Sequence, residues 1–187
     1  MVKRKEYLSL LNLYKEKQLI KVVTGIRRCG KSTLMEQFKD ELISSGVSEE
    51  QIIFLNFEAL ENEWLLDYKE LYNYLSDKLC KDKFTYIFLD EIQKVEYFEK
   101  VVDSLYIKPL VDIYITGSNA YMLSGELATY LSGRYIDIKM LPLSFKEYCE
   151  LFDGEDKVKL FSEYMNYGGL PYSAMLHKGG ISLDNTY

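Results

Sequence analysis

Near its start the chain reads Gly25-Ile26-Arg27-Arg28-Cys29-Gly30-Lys31-Ser32, a stretch that combines two glycines with three cationic side chains and a hydroxyl. Glycine tolerates a positive φ and has no Cβ, so Gly25 and Gly30 allow successive backbone N–H groups to curl around an anion. Lys31 adds a positive charge to these donors. The spacing G-x-x-x-x-G-K-[ST] is typical of a loop that binds nucleotide phosphates. We call residues 25–32 the phosphate loop.

The sequence on either side of the phosphate loop supports this interpretation. Residues 19–24 form a short run rich in β-branched side chains, which predicts a strand. Residues 31–45 carry apolar side chains at a spacing of four, which predicts a helix. At the start of that helix Ser32 is expected to bind Mg²⁺ through its hydroxyl, and Thr33 to lie close to the α-phosphate. Arg28 and Cys29 are expected to contact the nucleotide as part of the loop.

A second motif, Tyr86-Ile87-Phe88-Leu89-Asp90-Glu91, places two acids directly after four apolar residues. The apolar run predicts a strand buried on both faces of a parallel sheet, and ligands gather at the carboxyl ends of such strands. Asp90 is therefore a candidate for holding the Mg²⁺ water shell, and Glu91 for the general base that polarises an attacking water. For the two acids alone, a solvated strand end is the competing interpretation, and the phosphate loop argues against it.

A third predicted strand, residues 111–116, is followed by Gly117-Ser118-Asn119. These polar groups are expected at the same edge of the sheet, where Ser118 or Asn119 would contact the γ-phosphate and the attacking water. Without the other two motifs, a plain turn is the better interpretation of this segment.

Two further segments, Leu131-Ser132-Gly133-Arg134 and Leu141-Pro142-Leu143-Ser144-Phe145-Lys146-Glu147-Tyr148, complete the pattern. Together with residues 20–34, 88–93 and 115–119 they resemble the prokaryotic AAA-like ATPases, over about residues 1 to 172. These are P-loop proteins with a second, C-terminal domain of poorly defined function. The resemblance implies that Arg134 acts as a γ-phosphate sensor or an arginine finger, within the subunit or across an interface. From the residues alone, a surface arginine at the start of a strand is the better interpretation.

The alternation of predicted elements indicates an α/β fold with a parallel five-stranded sheet between two layers of helices. By analogy with P-loop ATPases that carry a glutamate after the acidic strand, the strand order is expected to be 5-1-4-3-2. The predicted strands are 19–24, 52–57, 84–90, 111–116 and 135–140, and the predicted helices are 3–17, 31–45, 67–81, 96–107 and 120–132.

Two regions are expected along the chain, an ATPase core at residues 1–142 and a helical extension and tail at 143–187. Relatives continue into their second domain where this sequence stops at Tyr187. We therefore expect either a truncation before a C-terminal domain or a naturally short member.

Composition narrows the class of protein. Hydrophobic residues at 48% and aromatics at 14% argue for a folded chain, and no apolar stretch approaches the length of a membrane helix. No signal-peptide pattern occurs at the start, so a cytoplasmic protein without a membrane partner is predicted. Three cysteines and one histidine share no zinc-ligand spacing. Cys29 is either a thiol activated by neighbouring cations or, as we favour, a small residue that the loop accepts.

Charge is unevenly distributed around a net value of −6. Residues 1–31 contain nine Lys or Arg and two Glu. A nucleic-acid surface is one interpretation of this excess, and the solvated face of an N-terminal helix is the favoured one.

The motifs together predict Mg²⁺-dependent binding and hydrolysis of ATP, coupled to an attached domain or a protein partner. The alternative is an ATP-binding switch with little turnover. A small-molecule kinase is disfavoured because no Arg-rich lid is evident, and a GTPase because no Asn-Lys-x-Asp motif occurs. A homo-oligomer is left open.

Overall fold

The computed structural model describes residues 2–117, 131, 133–152 and 156–179. Its strands form one sheet in the order β2-β3-β4-β1-β5, and all the pairs are parallel. Read in the opposite direction, this is the predicted order 5-1-4-3-2, which is thereby confirmed. The strand bounds are β1 Ile20–Gly25, β2 Ile52–Asn56, β3 Thr85–Asp90, β4 Val111–Thr116 and β5 Tyr135–Met140.

Helices cover both faces of the sheet. They are α1 Lys5–Tyr14, α2 Lys31–Ser44, α3 Tyr68–Asp77, α4 Phe98–Tyr106, α5 Phe145–Cys149, α6 Lys157–Tyr167 and α7 Pro171–Lys178. Short 3₁₀ helices occupy Glu49–Gln51, Leu60–Leu66 and Ile92–Lys94. The helix predicted at 120–132 falls almost entirely outside the described residues.

Several helices are shorter than the sequence predicted, because local backbone geometry ends them. After α1, Lys15 adopts an extended ψ of 136° and Glu16 a left-handed φ of 60°. At the start of α3 the Asp67 side chain accepts hydrogen bonds from the backbone N–H groups of Lys69 and Glu70. An N-cap of this kind fixes the first turn of a helix.

The sheet separates two apolar cores. On one face, side chains of α3 and α4 pack against alternate residues of the strands, and on the other face α1 and α2 do so. In the second core the ring of Phe88 stacks on that of Tyr114 with centroids 4.8 Å apart, and Phe38 packs against both. A third, smaller core lies among α5, α6 and α7, and includes Leu143, Tyr148 and Leu160.

A buried ion pair ties β1 to β4. Lys21 and Asp112 are both almost completely inaccessible, and the Lys21 ammonium contacts the Asp112 carboxylate. That carboxylate also accepts hydrogen bonds from the Glu16 N–H at 2.7 Å and the Tyr114 hydroxyl at 2.8 Å. Burying a charge is costly unless it is paired and hydrogen-bonded, so these contacts make the pair tolerable and fix its geometry.

Among the described helices, none has the length and apolarity that crossing a lipid bilayer requires.

Candidate functional site

The phosphate loop joins β1 to α2 and turns around the Lys31 side chain. Lys31 is buried, and its Nζ donates hydrogen bonds to the carbonyl oxygens of Gly25 at 3.2 Å and Ile26 at 3.5 Å. Gly30 precedes α2 with a left-handed φ of 100°. Because α2 begins at Lys31, its first N–H groups, which have no partner within the helix, lie next to the loop. Such a helix start favours an anion.

Asp90 is the last residue of β3, and Glu91 follows it directly. Asp90 is completely buried, and its Oδ1 accepts a hydrogen bond from the Thr116 hydroxyl at 2.5 Å. The Ser32 side chain lies close to this carboxylate. Burial raises the pKa of Asp90 above its ordinary value, while the hydrogen bond from Thr116 and the nearby Ser32 hydroxyl act in the opposite direction. Thus Ser32 of α2 and Asp90 of β3, predicted separately, lie close together.

Glu91 stands between the phosphate loop and the acidic strand. Its Oε1 lies 3.8 Å from Nζ of Lys31, and its Oε2 accepts a hydrogen bond from Nε2 of Gln93 at 2.5 Å. Its backbone has a left-handed φ of 54°, and its N–H donates to the Thr116 hydroxyl at 2.9 Å. The predicted base is thereby held beside the predicted phosphate-binding lysine.

The residues that were predicted to hold Mg²⁺ fit that ion. Mg²⁺ prefers oxygen ligands and keeps several waters, so one carboxylate and one hydroxyl suffice from the protein. Asp90 Oδ2 is buried, and among the described residues none donates a hydrogen bond to it. A buried carboxylate oxygen without a donor, next to the Ser32 hydroxyl, is a suitable ligand for a divalent cation.

A cleft of about 580 Å³ opens in front of these groups. It runs between the phosphate loop and the start of α7, and its volume is in the range of small-molecule sites. Its lining residues include Arg28, Lys31, Ser32, Thr33, Glu58, Glu91, Pro171 and Tyr172. The start of α7 therefore forms one wall of the site.

A smaller cavity of about 80 Å³ adjoins this cleft through Gly30, Thr33, Pro171 and Met175. Its other walls are contributed by side chains of the N-terminal segment and of the third core, namely Val2, Arg4, Cys29, Met140, Leu143 and Leu151. The surface is largely apolar, in contrast to the charged floor of the cleft.

Arg4 forms part of the wall of this cavity and is held in place by hydrogen bonds. Its guanidinium is 3% exposed and donates to a Glu147 carboxylate oxygen at 2.8 Å, to the Leu141 carbonyl at 2.8 Å and to the Cys29 carbonyl at 3.3 Å. A single side chain thus joins the N-terminal segment, the phosphate loop and the start of the C-terminal helices.

Cys29 is an ordinary buried residue of the loop. Its side chain is inaccessible, and burial raises the pKa of its thiol, although Lys31 and Arg4 act in the opposite direction. Because the thiolate is the reactive form, this environment disfavours modification. The structure agrees with the interpretation of Cys29 as a small residue that the loop accepts.

Arg134 lies at the opposite edge of the sheet from the phosphate loop. It precedes β5, and its carbonyl accepts a hydrogen bond from Ile20, the first residue of β1, whereas the phosphate loop follows the last residue of β1. The six residues of β1 separate the two ends by roughly 17 Å. The Arg134 guanidinium pairs with the Asp103 carboxylate of α4 and lies over the Tyr106 ring.

Two residues of the site were missed by the sequence analysis. Thr116 contacts both acids, and Gln93 holds the Glu91 side chain. Thr116 could have been found, because it follows the last apolar residue of a buried strand predicted to lie beside β3. The predicted contacts of Ser118 and Asn119 fall on positions outside the described residues.

Some of the basic side chains in residues 1–31 lie in the interior of the protein. Of its nine cations, Arg4, Lys21 and Lys31 are buried and have partners within the chain. The remaining six are the ones from which a nucleic-acid surface would have to be built.

Comparisons with known proteins agree with this geometry. An uncharacterized protein of Haemophilus influenzae is 44% identical over 180 residues, which are 94% of this chain and 45% of that protein. The chain spans less than half the length of the curated relatives that it matches. Among solved structures, the Walker-type ATPase of Pyrococcus abyssi has a TM-score of 0.55 at 19% identity, covering 96% of this chain and 69% of that one.

AMPPCP-bound DnaA from Aquifex aeolicus has a TM-score of 0.64 at 13% identity, covering 96% of this chain and 60% of that one. At identities this low, the structural similarity establishes a shared fold, that of P-loop ATPases, and nothing more. The model of the AAA domain family matches residues 17–149, which is more than half of the chain. The chain therefore belongs to the AAA domain family.

Proposed function

We propose that this chain binds ATP together with Mg²⁺ and hydrolyses the bond to the γ-phosphate. The observation that carries the proposal is the convergence of Lys31, Ser32 and Glu91 on one cleft, with Glu91 Oε1 3.8 Å from Lys31 Nζ. Asp90 is buried directly beside them, as the residue before Glu91. These residues come from two distant motifs, and a phosphate-binding lysine beside a carboxylate base is the arrangement that phosphoryl transfer to water requires.

The phosphates bind at the start of α2 in this proposal. The N–H groups of the loop and the helix dipole favour negative charge there. Lys31 exchanges its contacts with the carbonyl oxygens of Gly25 and Ile26 for phosphate oxygens. Ser32 and Asp90 would hold Mg²⁺, which would neutralise charge on the phosphates.

Glu91 acts on the attacking water. As the water oxygen bonds to the γ-phosphorus, the bond from that phosphorus to the ADP oxygen breaks, and a proton of the water passes to the Glu91 carboxylate.

Replacing the base tests this mechanism. Glu91→Gln removes the proton acceptor and keeps the size of the side chain, so ATP should bind as in the wild type while turnover falls by about 10²-fold or more. ATP affinity and phosphate release should be measured on both proteins. Unchanged turnover in Glu91→Gln would remove Glu91 from the mechanism.

An ATP-binding switch with little turnover is the second candidate. It is favoured by the engagement of both Glu91 carboxylate oxygens, one by Gln93 and one near Lys31. Tight ATP binding with negligible phosphate release by the wild type would support this alternative and refute the proposed hydrolysis.

Arg134 is proposed to act on the nucleotide of a neighbouring copy. The separation of Arg134 from the phosphate loop across the sheet supports action between subunits over action within one. Its guanidinium is partly exposed and would leave Asp103 to stabilise charge on the transferring phosphoryl group.

The output of the cycle is proposed to pass to an attached domain or a protein partner. The relatives are more than twice as long as the segment that this chain matches, which leaves room for such a domain in them. The cytoplasmic location stays a prediction from the sequence.

A further inference from the structure

Thr116 makes contact with both acids of the site through a single hydroxyl. It is the last residue of β4 and is completely buried. Its Oγ1 donates to Asp90 Oδ1 at 2.5 Å and accepts the N–H of Glu91 at 2.9 Å. A hydroxyl has one proton to donate and two lone pairs, so both bonds form at once.

The bond to Asp90 determines which carboxylate oxygen stays free. Leu89 of β3 pairs with Ile115 of β4, so Asp90 and Thr116 are the next neighbours along the same two strands. Because Oδ1 is occupied by Thr116, Oδ2 is left as the buried oxygen without a donor among the described residues. That oxygen is the one available to a cation.

The bond to the Glu91 N–H holds the backbone at an unusual turn. Glu91 has a φ of 54°, which residues with a Cβ adopt infrequently. Here the chain leaves β3, and the Glu91 side chain reaches Lys31 and Gln93. A buried N–H without an acceptor is unfavourable, so the Thr116 hydroxyl favours this conformation over others.

We propose that Thr116 is a positioning residue, which sets Asp90 toward the metal and Glu91 toward the attacking water. This inference rests on the proposed function, because it gives the two acids those roles. Thr116 touches neither nucleotide nor water in this assignment, and it acts through the Asp90 carboxylate and the Glu91 backbone.

The chain offers a matched control for a purely structural role. Thr85, at the start of β3, is also completely buried, and its Oγ1 accepts the N–H of Cys80 at 2.9 Å. It lies at the opposite edge of the sheet from Asp90, which ends the same strand. Thr85→Val therefore removes a comparable buried hydroxyl at a distance from the site.

The test compares Thr116→Val and Thr116→Ser with Thr85→Val and the wild type in the full chain. Valine keeps the shape of threonine and loses both hydrogen bonds, whereas serine keeps the hydroxyl. Three quantities are measured on each protein: the affinity for a non-hydrolysable ATP analogue with and without Mg²⁺, kcat and KM for ATP, and the thermal unfolding midpoint.

Thr116→Val should bind the metal-free analogue within about twofold of the wild type, since the phosphate loop is unchanged. Its gain in affinity on adding Mg²⁺ should fall about tenfold, and kcat about 10²-fold with KM little altered. Thr116→Ser should keep both properties within a few-fold, and Thr85→Val should keep both while losing thermal stability.

If Thr116→Val gained as much affinity for the analogue on adding Mg²⁺ as the wild type does, and kept the wild-type kcat, the positioning role would be overturned. A Thr116→Ser variant as impaired as Thr116→Val, or a Thr85→Val variant equally impaired in Mg²⁺ gain, would overturn it too. If Thr116→Val does not fold, Thr116→Cys, whose thiol is a weak donor, replaces it under the same criteria.

The two proposals fail in distinguishable ways. A wild type that gains affinity from Mg²⁺ but does not turn over refutes hydrolysis, and the Mg²⁺ gain of the variants still decides the role of Thr116. A wild type without any Mg²⁺ gain or turnover refutes the proposed function, and the role of Thr116 with it.

Discussion

Gly25 ends β1 where the backbone of β5 passes directly against it. A Cβ at this position would lie 2.4 Å from the Met140 carbonyl oxygen and 2.8 Å from the Cys29 sulfur. Gly25→Ala should therefore lower the free energy of unfolding by about 2–3 kcal/mol, because a backbone oxygen cannot move aside cheaply. Urea unfolding of the variant and the wild type measures this loss.

Gly46→Ala is the control for Gly25→Ala. Gly46 has a left-handed φ of 99°, and a Cβ there would meet nothing within 4 Å, so only the conformational cost of about 1 kcal/mol is expected. Equal losses at the two glycines would show that the Met140 contact is not what requires a glycine at position 25.

The residues that the sequence predicted are those whose role follows from spacing along the chain. Lys31 and Ser32 are fixed by the loop motif, and Asp90 and Glu91 by their place after a buried strand. Thr116 depends instead on which strand lies beside β3, and Gln93 on the 3₁₀ turn that brings it back to Glu91. The contact of Thr116 can be inferred only by adding the predicted strand order to the local sequence, and the contact of Gln93 has no signature in local sequence.

The N-terminal segment and the C-terminal helices meet at Arg4. Arg4→Met would leave the Glu147 carboxylate and the carbonyls of Leu141 and Cys29 without this donor. We expect the free energy of unfolding to fall by about 3 kcal/mol, as is typical when one partner of a buried ion pair is removed. Denaturant unfolding monitored by circular dichroism provides the measurement.

The neighbouring Lys5 supplies the comparison for Arg4. Lys5 pairs with Glu150 at 3.6 Å, but the lysine side chain is 70% exposed. Lys5→Met should change stability by less than about 0.5 kcal/mol, because exposed ion pairs contribute little. If Lys5→Met and Arg4→Met were equally destabilised, the burial of Arg4 would not be the cause.

At the level of elements, strands were easier to predict than helix ends. The five strands agree with the predicted ranges to within one residue. The central strands β1, β3 and β4 are buried nearly throughout, and β5 alternates apolar with polar residues, so both kinds of strand have a recognisable pattern. The helices were predicted too long at several ends, since a cap such as Asp67 or a left-handed residue such as Glu16 depends on backbone geometry.

For the whole molecule, the positions of Lys31 and Arg134 predict complementation between two inactive variants. Lys31→Ala lacks the phosphate-binding side of the site, and Arg134→Ala lacks the proposed contribution to a neighbour. When the two are mixed in equal amounts, random pairing should form intact sites at about a quarter of the interfaces and restore about a quarter of wild-type turnover.

A second mixture controls for non-specific rescue. Lys31→Ala and Glu91→Gln are both defective on the side of the site that carries the phosphate loop, so no pairing of these two variants forms an intact site. Phosphate release should stay at the level of the separate variants. Recovery in this mixture, or its absence in the first one, would contradict action of Arg134 between subunits.

The opposite placement of the phosphate loop and Arg134 also limits the shapes of assembly that can work. Copies that complete one another through these two edges associate either as an antiparallel pair, in which each copy completes the other, or head to tail, which yields a closed ring or an open filament. In a ring every nucleotide has a neighbour's arginine. In a filament the last copy has none, and a solitary copy is always such an end. Under this proposal, forming a closed assembly, whether a reciprocal pair or a ring, would itself be the step that makes every site active.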